Sequence, residues 1–278
     1  THYIFMCLVV LNTILFSILF YLLYPVYIPQ QEQPSNPLWA FYFLAVLIIF
    51  TLILLFLIKK NRTSIFKGIF YFITAFVLFM ILDILLSYVP IINEINIINI
   101  FYLSDIIAIT LSIIIPVYLW LKNSWILVNV VGIMVSGGIA TLLAMSVGIL
   151  PIIILRVILA IYDFIAVFKS KHMITLAEGA VKSGIPAMFV YTDEENIEIS
   201  ETMGTGKAFF MGFGDAAIPT IMVVSSYINF GVYSAILTAI GGFIGLIILF
   251  IFAEKQRPLP GLPFLNFGVI LGFLISLL

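Results

Sequence analysis

Residues 149–168 read ILPIIILRVILAIYDFIAVF, an apolar run that contains only two charged residues, Arg156 and Asp163. A helix of this length rises about 30 Å, which matches the hydrocarbon core of a bilayer. Polar and apolar residues do not alternate along the run, as they would in a strand of a membrane barrel. The stretch therefore predicts a transmembrane helix that carries a base and an acid inside the membrane.

The rest of the chain has the same character. Of its 278 residues, 64% are hydrophobic and only 9% are Asp, Glu, Lys or Arg, which is too few to cover the surface of a soluble domain. The formal net charge of −1 argues against a nucleic-acid partner. The single cysteine, Cys7, excludes an internal disulfide framework and a cysteine-rich metal site. We therefore expect the lipid bilayer to surround most of the protein.

Long apolar runs separated by polar or proline-rich breaks define nine candidate spans. They lie at about Tyr3–Leu23, Leu38–Ile58, Ile65–Val89, Ile100–Leu121, Trp125–Val147, Ile149–Phe168, Ala208–Ile228, Val232–Phe252 and Leu262–Leu278. Only Gly148 and Pro151 separate the fifth span from the sixth. The sequence predicts an all-α polytopic membrane protein with nine transmembrane helices.

The basic residues indicate how these spans cross the membrane. If nine spans alternate in direction, every Lys and Arg except Arg156 falls on one side, in the loops or, for Lys67, at the adjoining start of the third span. Lysine and arginine favour the cytoplasmic loops of membrane proteins. We therefore expect a multi-pass protein of the cell membrane with a cytoplasmic N-terminus and a C-terminus outside.

One long polar segment divides the chain. Residues 1–168 form a six-helix N-terminal part, 169–207 a cytoplasmic loop, and 208–278 a three-helix C-terminal part of one integral membrane domain. Within the loop, residues 187–191 and 197–200 flank a polar turn, a pattern typical of a β-hairpin. We therefore predict two short strands between the sixth and seventh spans.

Apart from Lys67 at the start of the third span, five Asp, Glu, Lys or Arg residues fall inside the predicted spans, where each charge costs roughly 2.5–3.5 kcal/mol on insertion scales. Asp83, Asp105 and Arg156 lie in the outer third of the membrane. We expect Arg156 to form an ion pair with Asp83 or Asp105, because such a pair neutralises the charge and joins two helices. The remaining two, Asp163 and Asp215, lie near the cytoplasmic side.

Asp163 and Asp215 lie at nearly the same depth on consecutive, antiparallel spans. At 1.5 Å per residue they lie roughly 9 and 12 Å from the cytoplasmic ends of the sixth and seventh spans. Two facing carboxylates cannot both ionise at low cost, so the pair shares a proton, as in aspartic proteases. One aspartate then activates water while the other protonates the peptide carbonyl group. Gly212 and Gly214, beside Asp215, leave room for a substrate backbone.

Three short motifs resemble those of presenilin and signal peptide peptidase, a family of intramembrane aspartyl proteases. Tyr162-Asp163 is similar to the family's YD motif, and Gly212-Phe213-Gly214-Asp215 is similar to its GxGD motif. Leu259-Pro260-Gly261-Leu262-Pro263 resembles its PALP element, with Gly261 where the family has alanine. With the nine spans and the loop between the sixth and seventh, the resemblance covers essentially the whole chain.

The resemblance implies that Asp163 and Asp215 hydrolyse peptide bonds of transmembrane helical substrates without a metal or an organic cofactor. It implies that the residues which shape the active site are Tyr162, Gly212, Phe213, Gly214, Leu259, Pro260, Gly261, Leu262 and Pro263. The orientation resembles that of presenilin rather than signal peptide peptidase. The compact loops resemble those of a microbial homologue that works without accessory subunits. The sequence leaves the oligomeric state open, a homo-oligomer included.

A membrane protease must unwind its substrate, because a helical peptide hides its carbonyl groups. We expect residues 187–191 or 197–200 to present a strand edge that holds the substrate in an extended form. The prolines of residues 260–263 prevent a regular helix there, so this turn is expected to border the same groove.

Two other functions fit parts of the pattern. A prepilin-type peptidase also uses a GxGD aspartate in a multispan bundle, but it does not need the other two motifs. A secondary transporter would use Asp163 and Asp215 as a proton or cation site. The sequence has no evident inverted repeat, which argues against the transporter.

Overall fold

The computed structural model describes residues 2–23, 36–60, 62–89, 102–122, 124–169, 188–192, 208–253 and 260–278. The helices are α1 (His2–Leu23), α2 (Leu38–Lys59), α3 (Thr63–Ser87), α4 (Leu103–Leu121), α5 (Trp125–Ser146), α6 (Ile149–Phe168), α7 (Phe213–Ala253) and α8 (Leu262–Ser276). Two strands, β1 (Met188–Thr192) and β2 (Ala208–Gly212), lie between α6 and α7 along the chain. The break predicted at Gly148 and Pro151 is present, because α5 and α6 are separate helices.

The described residues confirm the class of the fold but not the number of its helices. Seven of the eight helices are long and apolar enough to cross a membrane, and α8 is shorter, with 15 residues. The count of nine transmembrane helices is therefore not confirmed for the part of the chain that the structure describes. The difference lies in α7, which covers both the seventh and the eighth predicted spans.

Helix α7 has 41 residues and breaks at Gly231, whose φ of 82° and ψ of −172° favour glycine. Across this break the Thr238 hydroxyl group donates to Ser226 Oγ at 3.2 Å. In a straight helix, residues so far apart in the chain would be separated by about 18 Å. The chain therefore turns back at Gly231, and α7 consists of two arms that lie side by side.

The second arm of α7 packs against α8 through four glycines, Gly241, Gly245, Gly268 and Gly272. A Cβ atom added to any of them would overlap a backbone carbonyl oxygen of the facing helix. Small residues allow such close approach between membrane helices, where van der Waals packing and hydrogen bonds hold helices together. The glycines thus fix α8 against α7.

Replacing Gly268 by alanine is expected to destabilise the protein by about 1–3 kcal/mol, the usual cost of overpacking a well-packed interior. The added methyl group would meet the backbone of Gly241 and Gly245, which cannot move aside as a flexible side chain would. Thermal unfolding in detergent measures the effect. Gly68→Ala is the matched control, because a Cβ there meets nothing within 4 Å. Equal melting temperatures for the two variants would contradict the close packing.

The two strands confirm the first strand of the predicted hairpin and give it a partner that the sequence did not predict. The first strand is present as β1, but its antiparallel partner is β2, with Met188 opposite Gly212 and Thr192 opposite Ala208. Residues 197–200 lie outside the described residues. The helix after the loop begins at Phe213 rather than at Ala208. Residues 208–212 read AFFMG, and the composition of so short an apolar run does not distinguish a strand from the first turn of a buried helix.

The predicted ion pair of Arg156 with Asp83 or Asp105 is wrong. The guanidinium group of Arg156 instead donates to Asn266 on α8 and to backbone carbonyl groups of α7. Asp83 and Asp105 hydrogen-bond to each other. The physical reason is the arrangement of the helices, because α6 packs against α2, α7 and α8, whereas α3 packs against α4.

Helices α1 and α2 differ sharply in their burial. Helix α1 packs against α5 and α7 and contributes Met6, Val9 and Val10 to an apolar cluster in the interior. Helix α2 buries only Ala40 and packs against α6 and α3. The centre of the molecule is therefore formed by α1, α5, α7 and α8, with α6 beside them and α2 at the periphery.

Candidate active site

Asp163 lies on the buried face of α6 and is 4% exposed. Its Oδ2 atom accepts a hydrogen bond from the backbone N–H of Leu262 at 3.1 Å, and the N–H of Gly261 also donates to this carboxylate. Leu262 is the first residue of α8, where backbone N–H groups have no partner within the helix. The N-terminus of α8 therefore binds the Asp163 carboxylate.

Asp215 is the third residue of α7 and is half-buried. Its carboxylate accepts a hydrogen bond from the backbone N–H of Gly212, the residue before the helix. An acidic side chain at the third helical position often reaches back in this way and stabilises the first turn. The Asp215 carboxylate therefore lies beside Gly212.

The two carboxylates converge on the start of α8. Asp163 Oδ2 lies 3.1 Å from the Leu262 nitrogen, and Asp215 Oδ1 lies 3.5 Å from the place that a Cβ on Gly261 would take. Backbone dimensions then limit the separation of these two oxygens to about 10 Å. Asp163 also acts electrostatically on Asp215. The structure thus brings together the two aspartates that the sequence placed at one depth.

The three residues before Asp215 have different surroundings. The ring of Phe213 points into the core, 4.7 Å from the ring of Phe189 between centroids, and its carbonyl oxygen accepts a bond from Ser136 Oγ at 3.2 Å. A Cβ on Gly212 would lie 3.2 Å from Asp215 Oδ2, whereas a Cβ on Gly214 would meet nothing within 4 Å. Phe213 therefore anchors the turn, Gly212 borders the carboxylate, and Gly214 faces open space.

The element at the start of α8 is described from Pro260 onward, and Leu259 lies outside the described residues. Pro260 and Leu262 are buried, and Gly261 and Pro263 are partly exposed. Gly261 has helical backbone angles, φ −78° and ψ −40°. A Cβ there would lie 3.5 Å from both Asp215 and Leu249, which is ordinary van der Waals contact. The alanine of the family motif would therefore fit at Gly261.

Tyr162 is directed toward the peripheral helix α2, and its hydroxyl group forms a hydrogen bond with the side chain of Thr51. This contact joins α2 to α6 next to Asp163. Tyr162 thus attaches α2 to α6 beside the site.

Sequence reasoning missed a polar contact that holds the strands beside the site. The side chain of Asn129 on α5 donates to the Val190 carbonyl oxygen at 2.7 Å and accepts from the Val190 N–H at 2.9 Å. The amide therefore occupies the middle of the β1 edge that faces away from β2. An amide inside an apolar span was the available signal, because polar groups in the membrane are costly when they have no partner. The expectation that residues 187–191 present a strand edge to the substrate is corrected at Val190, and the alternative edge at 197–200 lies outside the described residues.

The protein has helices long enough to cross a membrane, and two aspartates converge among them. These features are those of an intramembrane aspartyl protease. The family model described as signal-peptide peptidase, presenilin aspartyl protease matches residues 5–278. The chain belongs to this family, and its activity is that of a peptide hydrolase that acts on transmembrane substrates in the bilayer.

Two solved structures of a presenilin family intramembrane aspartate protease, in space groups C222 and P2, are similar to the chain. Both have a TM-score of 0.70 and 27% sequence identity, and both alignments cover 98% of this chain, with 98% and 96% of the other chain. Among curated proteins, no relative matches. The family and these structures favour the protease over a prepilin-type peptidase or a transporter.

Proposed function

We propose that Asp163 and Asp215 are the catalytic pair of this protease. The observation that carries the proposal is the convergence of both carboxylates on Gly261 and Leu262 at the start of α8. A pair that shares one proton can take a proton from water with one carboxylate and protonate the substrate carbonyl with the other. Loss of cleavage in Asp163→Ala and Asp215→Ala variants is the experiment that tests the assignment.

The substrate is proposed to bind as an extended strand along the outer edge of β2. Because the N–H and C=O groups of Val190 are bonded to Asn129, Val190 and its partner Phe210 form a pair without mutual hydrogen bonds. The backbone N–H and C=O of Phe210 then point away from β1. An extended peptide can bond to such an edge through its own backbone. Phe210 precedes Asp215 by five residues, so this edge leads directly to the proposed site.

Gly212→Ala is expected to lower kcat roughly tenfold, which corresponds to about 1.4 kcal/mol. The added methyl group would lie 3.2 Å from Asp215 Oδ2 and would displace this carboxylate. Gly214→Ala is the matched control, because its methyl group meets no protein atom within 4 Å, so any effect there is expected in KM through contact with the substrate. Steady-state cleavage of a helical substrate measures both constants. An unchanged kcat for Gly212→Ala would contradict the placement of Asp215.

Nine crossings with a cytoplasmic N-terminus are proposed for the membrane topology. The charge distribution supports them, and so does the turn at Gly231, because each arm of α7 is close to the length of one span. A single cysteine at Asn36, introduced together with Cys7→Ser, is expected to react with an impermeant thiol reagent on intact cells. A cysteine at Lys60 is expected to react only after the membrane is opened. The reverse pattern would overturn the orientation.

A further inference from the structure

Arg156 is 2% exposed and joins the three helices that form the proposed site. Its Nη1 donates to Asn266 Oδ1 at 3.0 Å, and Asn266 Nδ2 donates back to the Arg156 carbonyl oxygen at 3.0 Å. Its Nη2 donates to the carbonyl oxygens of Ile218 and, at 3.2 Å, of Pro219. One side chain on α6 thus holds both α7 and α8.

Each residue that takes part in these hydrogen bonds lies one or two helical turns from Asp163, Asp215 or Leu262. Arg156 precedes Asp163 by seven residues, Ile218 follows Asp215 by three, and Asn266 follows Leu262 by four. Residues at these spacings share one face of a helix. The hydrogen bonds of Arg156 therefore form a second layer of polar contacts between the helices. In the proposed orientation this layer lies closer to the outer side of the membrane than the contact between Leu262 and Asp163.

Stability alone does not account for an arginine at this place. Its Nε atom is buried and has no hydrogen-bond partner among the described residues, and the partners found there for its other nitrogens are neutral. Apolar side chains of similar volume often hold helices together at least as well as a buried polar or ionic network. What the guanidinium group adds is geometry, because its planar set of donors fixes several acceptors in one relative position.

We propose that Arg156 and Asn266 are positioning residues, which set the relative placement of Asp163, Asp215 and the start of α8. Arg156 is hydrogen-bonded to α7 at Ile218 and Pro219, about one turn from Asp215. It is hydrogen-bonded to α8 at Asn266, one turn from the Leu262 N–H that binds Asp163. It therefore controls the distance and angle between the two carboxylates without touching the substrate. This inference rests on the proposed catalytic role of the two aspartates.

Arg156→Met and Asn266→Ala are expected to lower kcat about 10²-fold with little change in KM, because small misplacements of reacting groups have effects of this size. Arg156→Lys is expected to leave kcat low, because an ammonium group is a point charge that cannot hold the amide and the α7 carbonyls together. The double variant Arg156→Met with Asn266→Leu replaces the whole network by apolar groups. Its melting temperature is expected to equal or exceed that of the wild type while its kcat stays low.

Ser276→Ala is the matched control, because it removes a 2.6 Å hydrogen bond between α7 and α8 at Ser234, far from the aspartates. It is expected to leave kcat unchanged. Wild-type kcat in the double variant or in Arg156→Lys would overturn the proposal, as would an equal loss in Ser276→Ala. If the double variant does not fold, the kcat of Asn266→Ala tests the proposal instead. In that variant Arg156 keeps its hydrogen bonds to the carbonyl oxygens of α7. Asp163→Ala and Asp215→Ala are measured in the same assay, and cleavage by these two would refute the catalytic assignment itself.

Discussion

Alanine at Asp163 or at Asp215 is expected to abolish cleavage of a transmembrane helical substrate reconstituted in liposomes. Each carboxyl group has its own part in moving protons during hydrolysis, and removing a general acid or base lowers the rate by about 10²–10⁴-fold. Asp163→Asn is a sharper version, because an amide oxygen can still accept the Leu262 N–H but the group cannot exchange a proton. This variant is expected to fold as the wild type does and to be inactive.

The control for both aspartates is Asp83→Asn. Asp83 is also an acid within a predicted span, but its carboxyl group bonds to Asp105 between α3 and α4, away from the site. Full activity is expected for this variant. A transition-state analogue of aspartyl proteases is expected to inhibit the wild type and Asp83→Asn alike. Cleavage by Asp163→Ala or Asp215→Ala near the wild-type rate would exclude the pair from catalysis.

Phe210→Pro is expected to lower kcat/KM roughly 10–100-fold. Proline removes the backbone N–H that points away from β1 and so leaves a substrate carbonyl group without its partner, at a cost of about 1–3 kcal/mol. The change is compatible with β2 itself, because this N–H does not pair with β1 and proline is tolerated at strand edges.

The matched control is Phe210→Ala, which removes the aromatic ring but keeps the N–H group. The ring packs against an apolar cluster, so this variant separates loss of packing from loss of the backbone donor. Kinetic constants and the melting temperature are measured for both variants. Equal kcat/KM values for proline and alanine would show that the substrate does not use this edge.

Much of the fold follows from local sequence properties. Apolar runs locate the helices, and glycine and proline at positions 148 and 151 separate α5 from α6. The strand β2 was missed because five apolar residues next to an apolar helix carry no period of their own. Its partner β1 was found because polar residues follow it and mark its end.

The site was predictable to the extent that it depends on depth and motif. Asp163 and Asp215 were placed together by the positions of the loops, and their convergence on Gly261 and Leu262 agrees with this. The contacts of Asn129 and Asn266 were not predictable, because their partners lie 61 and 110 residues away in the chain. The partner of Arg156 was mistaken because a buried cation can be satisfied by backbone and amide oxygens as well as by an acid.

The attachment of Asp163 to the N-terminus of α8 has a consequence for biosynthesis. Chains fold progressively from the N-terminus while they are being made. Helices α6 and α7 emerge first with both aspartates in place, but the backbone N–H groups that bind Asp163 belong to α8. Until α8 has inserted, the nascent protein lacks the backbone groups that bind Asp163 in the proposed active site. We therefore expect the proposed site to become complete only after α8 has been made and has packed against α6.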